Sequence, residues 1–231
     1  MPTESASQLP RRERLRLQQR EQTIAEIERT AYALLDDGGV AAVSLAAVGK
    51  AMGMTAPALY RYFPSRDALI DRLVTSSYAE LSAAITTARP GEEHGAAKVR
   101  HMARAYRAWV LRHPRRYAML FTDRRPDMAE PAEGVAAFNQ AMLDLLAALA
   151  EAAPGPVEGP LGMDESLARW AERIGAPPGT PAPVLRRGAL LWSRVHGLAT
   201  LEIAGVFGTM GIDAGQLVEA EVQAVLTGAF D

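Results

Sequence analysis

The residues after Gly53 combine small side chains, hydroxyl groups and one guanidinium group in a short stretch. Hydroxyl and guanidinium groups donate hydrogen bonds to phosphates and base edges, and small side chains let a helix come close to a base. A helix buried in a protein core would not carry such residues on its outer face. The stretch predicts a contact with the DNA major groove, and an ordinary helical hairpin in a bundle is the alternative. Its residues are Thr55, Ala56, Pro57, Ala58, Tyr60, Arg61 and Tyr62.

Two short helices must position these residues. Ser44 is placed to cap the first helix, because its hydroxyl can accept a hydrogen bond from the free N–H groups of an opening turn. Leu45, Val48 and Met52 follow with helical spacing. Gly53 supplies the left-handed backbone that a sharp exit needs. The first helix is therefore predicted to end at this glycine.

The second helix is predicted to begin after Thr55, which is placed to cap it, and Pro57 is tolerated in a first turn. Leu59 and Phe63 give this helix one apolar face against the first helix. Gly49 stands where the two helices would cross, and a side chain there would push them apart. The spacing predicts the outline of a helix-turn-helix.

The stretch GMTAPALYRYFPSRDAL at positions 53–69 resembles the DNA-binding domain of the TetR family of bacterial transcriptional repressors. The family pattern is close to LYxHFxxKexLL, and the resemblance extends over about residues 20–73. Gly49 stands where the family usually has alanine, and Arg66 where it usually has lysine. Ala46 replaces a residue that is polar or basic in many members, which removes one potential contact with DNA.

The resemblance implies a homodimer that binds a palindromic double-stranded DNA operator as a repressor and is released by a small-molecule inducer. An activator, or a regulator without a ligand, remains an alternative. The residues expected at base edges and methyl groups are Thr55, Pro57, Ala58 and Tyr60, and Ala56 is expected among the DNA-binding residues of the same helix. The residues expected to position the unit on phosphates are Ser44, Lys50, Arg61, Tyr62 and Arg66.

Composition limits the classes of protein that this chain can represent. The chain has 231 residues, of which 48% are hydrophobic, and its net charge is −2. This charge argues against a protein that coats nucleic acid nonspecifically, so any DNA contact is expected to be local. The sequence has no cysteine, no apolar run of about 18 residues and no secretory signal at its N-terminus. We expect a cytoplasmic protein that does not span a membrane.

The N-terminus predicts a disordered basic arm over residues 1–19. Five arginines between positions 11 and 20 face a single acid, Glu13. Such an arm can enter the minor groove or lie along phosphates, and a solvated tail without function is the alternative. The predicted domains are this arm, a three-helix DNA-binding unit over residues 20–75, and a ligand-binding and dimerisation domain over residues 76–231. The fold class is all-α with about nine or ten helices.

Two apolar helices near the C-terminus, at about 184–207 and 213–226, carry more apolar surface than one small domain covers. They resemble the helix pair through which TetR-family subunits form a four-helix bundle. Within them, Trp192, His196 and Gly197 resemble the WxxxHG pattern of one C-terminal subclass of that family. The predicted dimer interface consists of Trp192, Val195, Ala199, Ile203, Leu217, Val218, Val222 and Val225.

Large apolar side chains of the second domain are candidates for the lining of an inducer pocket. They are Tyr106, Trp109, Phe121, Phe138, Met142, Trp170 and Trp192. For each of them, a plain core position is the alternative.

The sequence carries no pattern that indicates catalysis. The four histidines lack metal-ligand spacing, and His196 is interpreted as a packed residue that holds a helix contact. No catalytic triad, phosphate-binding loop or paired carboxylates appear in the sequence, so we expect no enzyme activity, no metal and no cofactor. An all-helical carrier or enzyme with an incidental helix-turn-helix is the rival interpretation.

Overall fold

The structure, a computed structural model, describes residues 10–87, 91–92, 94–123, 131–152 and 162–228. Within these ranges the chain forms eleven α-helices and no strand, so the predicted all-α fold is confirmed. The helices are α1 (Arg11–Gly38), α2 (Leu45–Met52), α3 (Ala56–Tyr60), α4 (Arg66–Thr86), α5 (Gly95–Arg112), α6 (Pro114–Phe121), α7 (Ala132–Ala152), α8 (Met163–Ile174), α9 (Ala182–Ile203), α10 (Val206–Met210) and α11 (Ala214–Thr227).

The helix count exceeds the prediction partly because the apolar segment at 184–207 is not one helix. It divides where Gly205 adopts a left-handed backbone with φ of 78°, which α-helical continuation does not allow. Helix α9 therefore ends at Ile203, and α10 is a separate short helix.

The predicted disorder of the basic arm is wrong for residues 11–19. Helix α1 begins at Arg11, with Pro10 at its N-cap and Glu13 in its first turn. Arginine, leucine and glutamine are good helix formers, and a first-turn acid is favourable near the positive end of the helix dipole. The five arginines therefore lie on an exposed helical extension. Residues 1–9 lie outside the described part of the chain.

Helix α4 connects the N-terminal helices with the rest of the protein. It packs against α1 on one side and against α5, α6 and α7 along its length. Leu69 and Leu73 are buried near its start, and Leu81 and Ile85 near its end, in one continuous hydrophobic core. The boundary predicted at residues 75 and 76 falls inside this helix.

Helix α7 is long and apolar enough to cross a membrane by length and composition alone, which is weak evidence for one helix. It packs against α4, α5, α8 and α9. Its buried residues include Met142, Leu145 and Leu149, which belong to the core. Its apolar character is therefore that of a central helix in a bundle.

Charged residues on α5 join it to the C-terminal helices. Arg104 donates two hydrogen bonds to Glu219 of α11, and Arg107 donates two to Glu202 of α9. The Arg107 pair is the better shielded from solvent, with side chains 27% and 19% exposed. These bidentate pairs hold α9 and α11 against α5.

Candidate DNA-binding surface and ligand cavity

The helix-turn-helix is fixed by a close crossing of α2 and α3. A Cβ atom at Gly49 would lie 3.0 Å from the carbonyl oxygen of Met54 and 3.0 Å from Cδ1 of Leu59. Gly53 follows the last residue of α2 and adopts the left-handed backbone conformation, with φ of 66°. The hydroxyl of Ser44 accepts a hydrogen bond from the N–H of Ala47 at 3.1 Å, which confirms the predicted cap. The first helix and the turn therefore have the predicted local geometry.

The second helix differs from the prediction at both ends. Thr55 occupies the N-cap position, but its side chain makes no capping hydrogen bond, so that predicted contact is wrong. Helix α3 ends at Tyr60, and Phe63 reaches the core from the segment that follows. The side chain of Leu59 anchors α3 to the core, where it is fully buried.

The outer side of α3 is open to solvent. Thr55, Ala56, Pro57 and Tyr60 are exposed, with Tyr60 reaching 56%, and Ala58 is half-buried. The structure therefore presents a short helix with a phenol and a hydroxyl on one accessible side.

The predicted phosphate contacts have unequal surroundings. Lys50 and Arg61 are exposed. Arg66 donates from Nε to the carbonyl of Val43 at 2.7 Å and from Nη2 to the carbonyl of Val40 at 2.6 Å. It thus ties the start of α4 to the segment before α2, a structural role that the sequence did not reveal. Ser44 is likewise occupied as a cap.

Tyr62 lies beside the basic extension of α1. The guanidinium of Arg20 lies 5.2 Å from the centre of the Tyr62 ring, and its Nη2 donates a hydrogen bond to the carbonyl of Arg61 at 3.4 Å. This cation–π contact joins α1 to the end of the helix-turn-helix.

A branched cavity lies between α4, α5, α6, α7, α8 and α9. It consists of three adjoining chambers of about 50, 420 and 290 Å³. Phe138 and Trp192 line all three chambers, and their ring centres are 5.1 Å apart. The combined space is in the range of pockets for small organic molecules.

The structure brings together six of the seven predicted pocket residues. These are Tyr106, Phe121, Phe138, Met142, Trp170 and Trp192. Trp109 is the exception, and its assignment is wrong. It is 2% exposed, its indole N–H points to Glu80 at 3.3 Å, and its ring packs on His113.

A polar network borders the cavity at His196. The hydroxyl of Tyr106 lies 2.8 Å from His196 Nδ1, and that of Tyr117 lies 3.1 Å from His196 Nε2. The Tyr117 hydroxyl also makes a very short hydrogen bond to Thr200, whose hydroxyl donates to the carbonyl of His196 at 2.8 Å. His196 was predicted to hold a helix contact, and in the structure it joins α5, α6 and α9.

Proton positions in this network follow from its geometry. Burial lowers the pKa of His196, so a neutral ring with one N–H fits the site. Because the Thr200 hydroxyl already donates, Tyr117 must donate to Thr200 and accept from His196 Nε2–H. Tyr106 then donates to Nδ1. Burial is also the main cause that raises the pKa of both tyrosines, which keeps them protonated.

The sequence analysis missed several cavity residues. Tyr78 and Asn139 line the largest chamber, and Tyr117 and Thr200 complete the His196 network. The four-residue spacing of Trp192, His196 and Thr200 on α9 could have indicated one shared face. Nothing local indicates that Asn139 faces a cavity.

Most of the predicted dimer interface lies inside the protomer. Five of its residues are at most 4% exposed in the core of the single chain, so this part of the prediction is wrong. They are Val195, Ala199, Val218, Val222 and Val225. Trp192 lines the cavity, and Ile203 packs against the core. Of the predicted interface residues, Leu217 is half-buried and lies outside the packed core. The cause is the packing of α9 and α11 against α5, which uses their valine faces.

No group of histidine, aspartate and glutamate side chains that could hold a metal ion occurs among the described residues.

Comparisons with known proteins extend over nearly the whole chain. A family model described as bacterial regulatory proteins, tetR family, matches residues 27–73, and one described as tetracyclin repressor-like, C-terminal domain, matches residues 99–225. The chain is 30% identical over 218 residues to HTH-type transcriptional regulator Rv1816 of Mycobacterium tuberculosis, covering 88% of this chain and 91% of the relative. The same values hold for HTH-type transcriptional regulator Mb1846 of Mycobacterium bovis.

A crystal structure gives the same result in three dimensions. That of the protein SCO4313 is 33% identical in sequence, covers 94% of this chain and 99% of its own, and superposes with a TM-score of 0.77. The names of the curated relatives are those of transcriptional regulators and not of enzymes. The match of both family models, the helix-turn-helix and these relatives lead to one conclusion: the chain belongs to the TetR family of DNA-binding transcriptional regulators.

Proposed function

We propose that this protein is a cytoplasmic, homodimeric repressor that binds a palindromic operator and is released by a small-molecule inducer. The observation that carries the proposal is the exposed outer side of α3, where Tyr60 and Thr55 stand free beside the Gly53 turn. A recognition helix reads the major groove through such side chains near its N-terminus.

An exposed apolar face of α9 and α11 supports the homodimer. Leu201 is 43% exposed, and Leu190 and Leu217 are half-buried and lie outside the packed core. A Cβ atom at Gly197 would meet nothing within 4 Å, so another helix can approach closely there. A twofold axis through this face would bring the same surface of two copies together.

The two recognition helices of the dimer must lie about 34–36 Å apart to reach successive turns of the major groove. A ligand that favours a dimer with another spacing lowers the affinity for DNA by its differential affinity for the two arrangements. Release therefore requires a mechanical connection between the cavity and α1 to α3.

Helix α6 provides a physical basis for that connection. Tyr117 belongs to the His196 network, while its neighbour Arg116 faces the DNA-binding unit. Arg116 Nη1 donates to Glu80 of α4 at 2.9 Å, and its guanidinium lies 4.0 Å from the ring centre of Tyr32 of α1. A ligand that shifts Tyr117 would shift Arg116 on the same helix.

The Tyr32 side chain continues the connection into α4. Its hydroxyl donates to the carbonyl of Leu73 at 2.9 Å and lies 3.0 Å from the hydroxyl of Ser77. Thus α6 holds both α1 and α4, the two helices that carry the helix-turn-helix. This arrangement supports an inducer-dependent change in the distance between two DNA-reading units.

Selection of bound sequences from a random duplex pool, at physiological salt, tests the proposal directly. A palindromic motif, together with a molar mass of two chains in solution, is the expected result. Enrichment of no motif by folded, dimeric protein would overturn it.

Two variants locate the operator contact and the interface. Tyr60→Ala should weaken operator binding by about 1–3 kcal/mol, whereas Leu111→Ala on exposed α5 surface should not. Leu201→Glu should convert the dimer to monomers, and Gln140→Glu serves as its exposed control. Unchanged operator affinity in the first variant, or an unchanged mass in the second, would contradict the corresponding assignment.

A further inference from the structure

We propose that the branched cavity takes a neutral, ring-containing organic molecule and disfavours anions such as fatty acids or phosphate esters. This inference rests on the proposed function, in which the same cavity holds the inducer, and it names the chemical class of that inducer. Four features of the cavity support it: the charge of its lining, the His196 network, the amide of Asn139 and the shape of its walls.

The described lining of the cavity contains no charged side chain. None of the described residues around the three chambers is arginine, lysine, aspartate or glutamate. Burying a charge without a partner costs several kcal/mol, about as much as most of a small ligand's binding energy. A carboxylate, sulfonate or phosphate would find no cation among these residues.

The His196 network does not supply that missing cation. Its single N–H on Nε2 is used by Tyr117, and the hydroxyls of Tyr106, Tyr117 and Thr200 all donate within the network. Tyr106 lines the smallest chamber, whose exposed surface is entirely apolar. His196 lines the largest chamber, but both of its ring nitrogens are already hydrogen-bonded to tyrosines. The network therefore offers neither a cation nor an unused donor to an anion.

The amide of Asn139 is a further polar group in the described lining of the cavity. It lines both larger chambers and makes no hydrogen bond to another described residue. Its neighbour Gln140, on the exposed side of α7, bonds instead to Asp144 at 3.3 Å. An asparagine between apolar walls can both donate to and accept from a neutral polar group.

The walls around these polar groups are aromatic. Phe121, Phe138 and Trp192 lie with ring centres 5.1 to 6.0 Å apart, and Trp192 is also 5.2 Å from Tyr106. Trp192 meets both Tyr106 and Phe138 edge to face, with interplanar angles of 73° and 66°. A branched space of this kind fits rings better than a single extended chain. Aromatic walls can also attract a cation, which the experiment must separate from a neutral ring.

Two fluorescent probes that differ by one sulfonate group provide the test. N-phenyl-1-naphthylamine is neutral, and 8-anilino-1-naphthalenesulfonate is the same molecule with an anionic group. With the purified full-length protein, the neutral probe should bind at one molecule per chain and at least about tenfold more tightly than the anion. Equal or tighter binding of the sulfonate, or no binding of the neutral probe, would overturn the proposal.

A pair of competing ligands tests whether the aromatic walls prefer a cationic ligand to a neutral one. 1-tert-butylnaphthalene and 1-naphthyltrimethylammonium have the same shape, and only the second is charged. The hydrocarbon should displace N-phenyl-1-naphthylamine more effectively. Stronger displacement by the ammonium compound would show that the aromatic walls form a cation site, and would overturn the assignment to neutral ligands.

A charge placed inside the cavity should reverse the preference. Asn139→Lys puts a cation between the two larger chambers, so the sulfonate probe should gain at least about tenfold in affinity relative to the neutral probe. Gln140→Lys, one residue away on the exposed side of α7, is the matched control. It should change neither the affinity for the sulfonate probe nor the affinity for the neutral probe. Asn139→Leu removes the amide without adding charge, should keep the preference for the neutral probe, and tests the site if the lysine variant does not fold. Loss of the preference for the neutral probe in Asn139→Leu would overturn the assignment of the site. An equal change in relative probe affinity in Asn139→Lys and Gln140→Lys would also overturn it.

Probe binding is measured without DNA, so it is independent of the operator experiment. A protein that selects a palindrome but does not bind the neutral probe retains the proposed function and refutes the ligand class. A protein that binds the neutral probe but selects no DNA sequence supports the ligand class and refutes the proposed function.

Discussion

The helix-turn-helix and the cavity arrange their chemical groups in opposite ways. The helix-turn-helix displays its groups: Tyr60 is 56% exposed on a helix of five residues. The cavity encloses its groups: His196 is joined to Tyr106 and Tyr117, which lie 90 and 79 positions away in the sequence. One site is built by neighbours in the chain, and the other by helices that meet only in the folded protein.

This difference determines how each region tolerates substitution. The outer face of α3 makes few contacts with the rest of the chain, so its side chains can change without loss of the fold. Its position, however, depends on one close crossing at Gly49. In the cavity, most lining side chains also belong to the hydrophobic core, so specificity and stability are coupled there.

The largest expected effect comes from Gly49→Val. The added atoms would collide with the Met54 carbonyl and with Leu59, which forces α3 away from α2. Because every contact of α3 moves at once, operator affinity should fall by about a hundredfold or more, toward nonspecific binding. Electrophoretic mobility shift or fluorescence anisotropy with the selected operator measures this.

Ala51→Val on the exposed side of the same helix is the matched control. It places the same valine side chain on α2 at an exposed position, where no collision is expected, and should retain most of the affinity. Binding of N-phenyl-1-naphthylamine should be equal in both variants, since the cavity lies in the other region. Operator binding by Gly49→Val at the level of Ala51→Val would show that the crossing does not position α3.

A second variant separates the two regions without damaging either. Arg116→Met removes the contacts of α6 with Glu80 of α4 and with the Tyr32 ring of α1. The affinity for the operator alone and the affinity for the probe alone should each change little. The reduction in operator affinity that the bound probe causes should become smaller. Couplings between sites are typically about 1–3 kcal/mol, so the loss of operator affinity caused by N-phenyl-1-naphthylamine should become at least about fivefold smaller.

Arg115→Met is the control for the arginine, because Arg115 is the exposed neighbour of Arg116 on α6. The comparison uses operator dissociation constants with and without the probe. Equal coupling in the wild-type protein and in Arg116→Met would show that the signal does not pass through this arginine.

The contrast between the regions also explains what the sequence could predict. The Ser44 cap, the turn at Gly53 and the crossing at Gly49 depend on residues within a short distance along the chain, and the structure confirms all three. The cap predicted for Thr55 failed although the residue type was suitable, since its hydroxyl does not reach the first-turn N–H groups. Local patterns specify where a helix starts more securely than the exact contact that starts it.

The C-terminal helices show where sequence patterns lose their power. Both α9 and α11 are apolar on several sides, so periodicity could not tell which face meets α5 and which is left outside. Packing buries the valines Val218, Val222 and Val225, whereas Leu201 stays exposed and Leu217 lies half-buried outside the packed core. Residue size was a better guide to the pocket, since six of the seven predicted residues line it, but size alone could not separate them from Trp109, which packs in the core.

A smaller effect is expected from acid. Burial lowers the pKa of His196 in the folded protein. At pH values between the pKa of His196 in the unfolded chain and its lower pKa in the folded protein, the unfolded chain therefore binds a proton at His196 that the folded protein does not bind. Stability should therefore fall as the pH drops below about 6.5, with a slope of at most about 1.4 kcal/mol per pH unit for this group. Thermal unfolding of wild type and His196→Gln between pH 7 and about 5 measures it.

The His196→Gln variant should lose part of the slope, and His113 should retain the rest, because burial and then Arg116 lower its pKa as well. Asp164 and Glu219, whose pKa values are lowered by Arg186 and Arg104, lose their contributions only at more acidic pH. An unchanged slope in His196→Gln would contradict a half-buried His196 that is neutral in the folded protein.

The smallest effect is expected from substitutions at the two N-cap positions of the helix-turn-helix, Ser44 and Thr55. Ser44→Ala removes the hydrogen bond from the Ala47 N–H and should lower the free energy of unfolding by about 1 kcal/mol. Thr55→Ala removes no capping bond, so stability should stay within about 0.5 kcal/mol of wild type. The proposed contact of its exposed hydroxyl with DNA predicts a loss of operator affinity in the same variant. Denaturant unfolding measures the stability of both variants, and operator titration measures their affinity for DNA. If Thr55→Ala proved the less stable variant and kept full operator affinity, Thr55 would be a cap after all and α3 would lose one of its proposed DNA contacts.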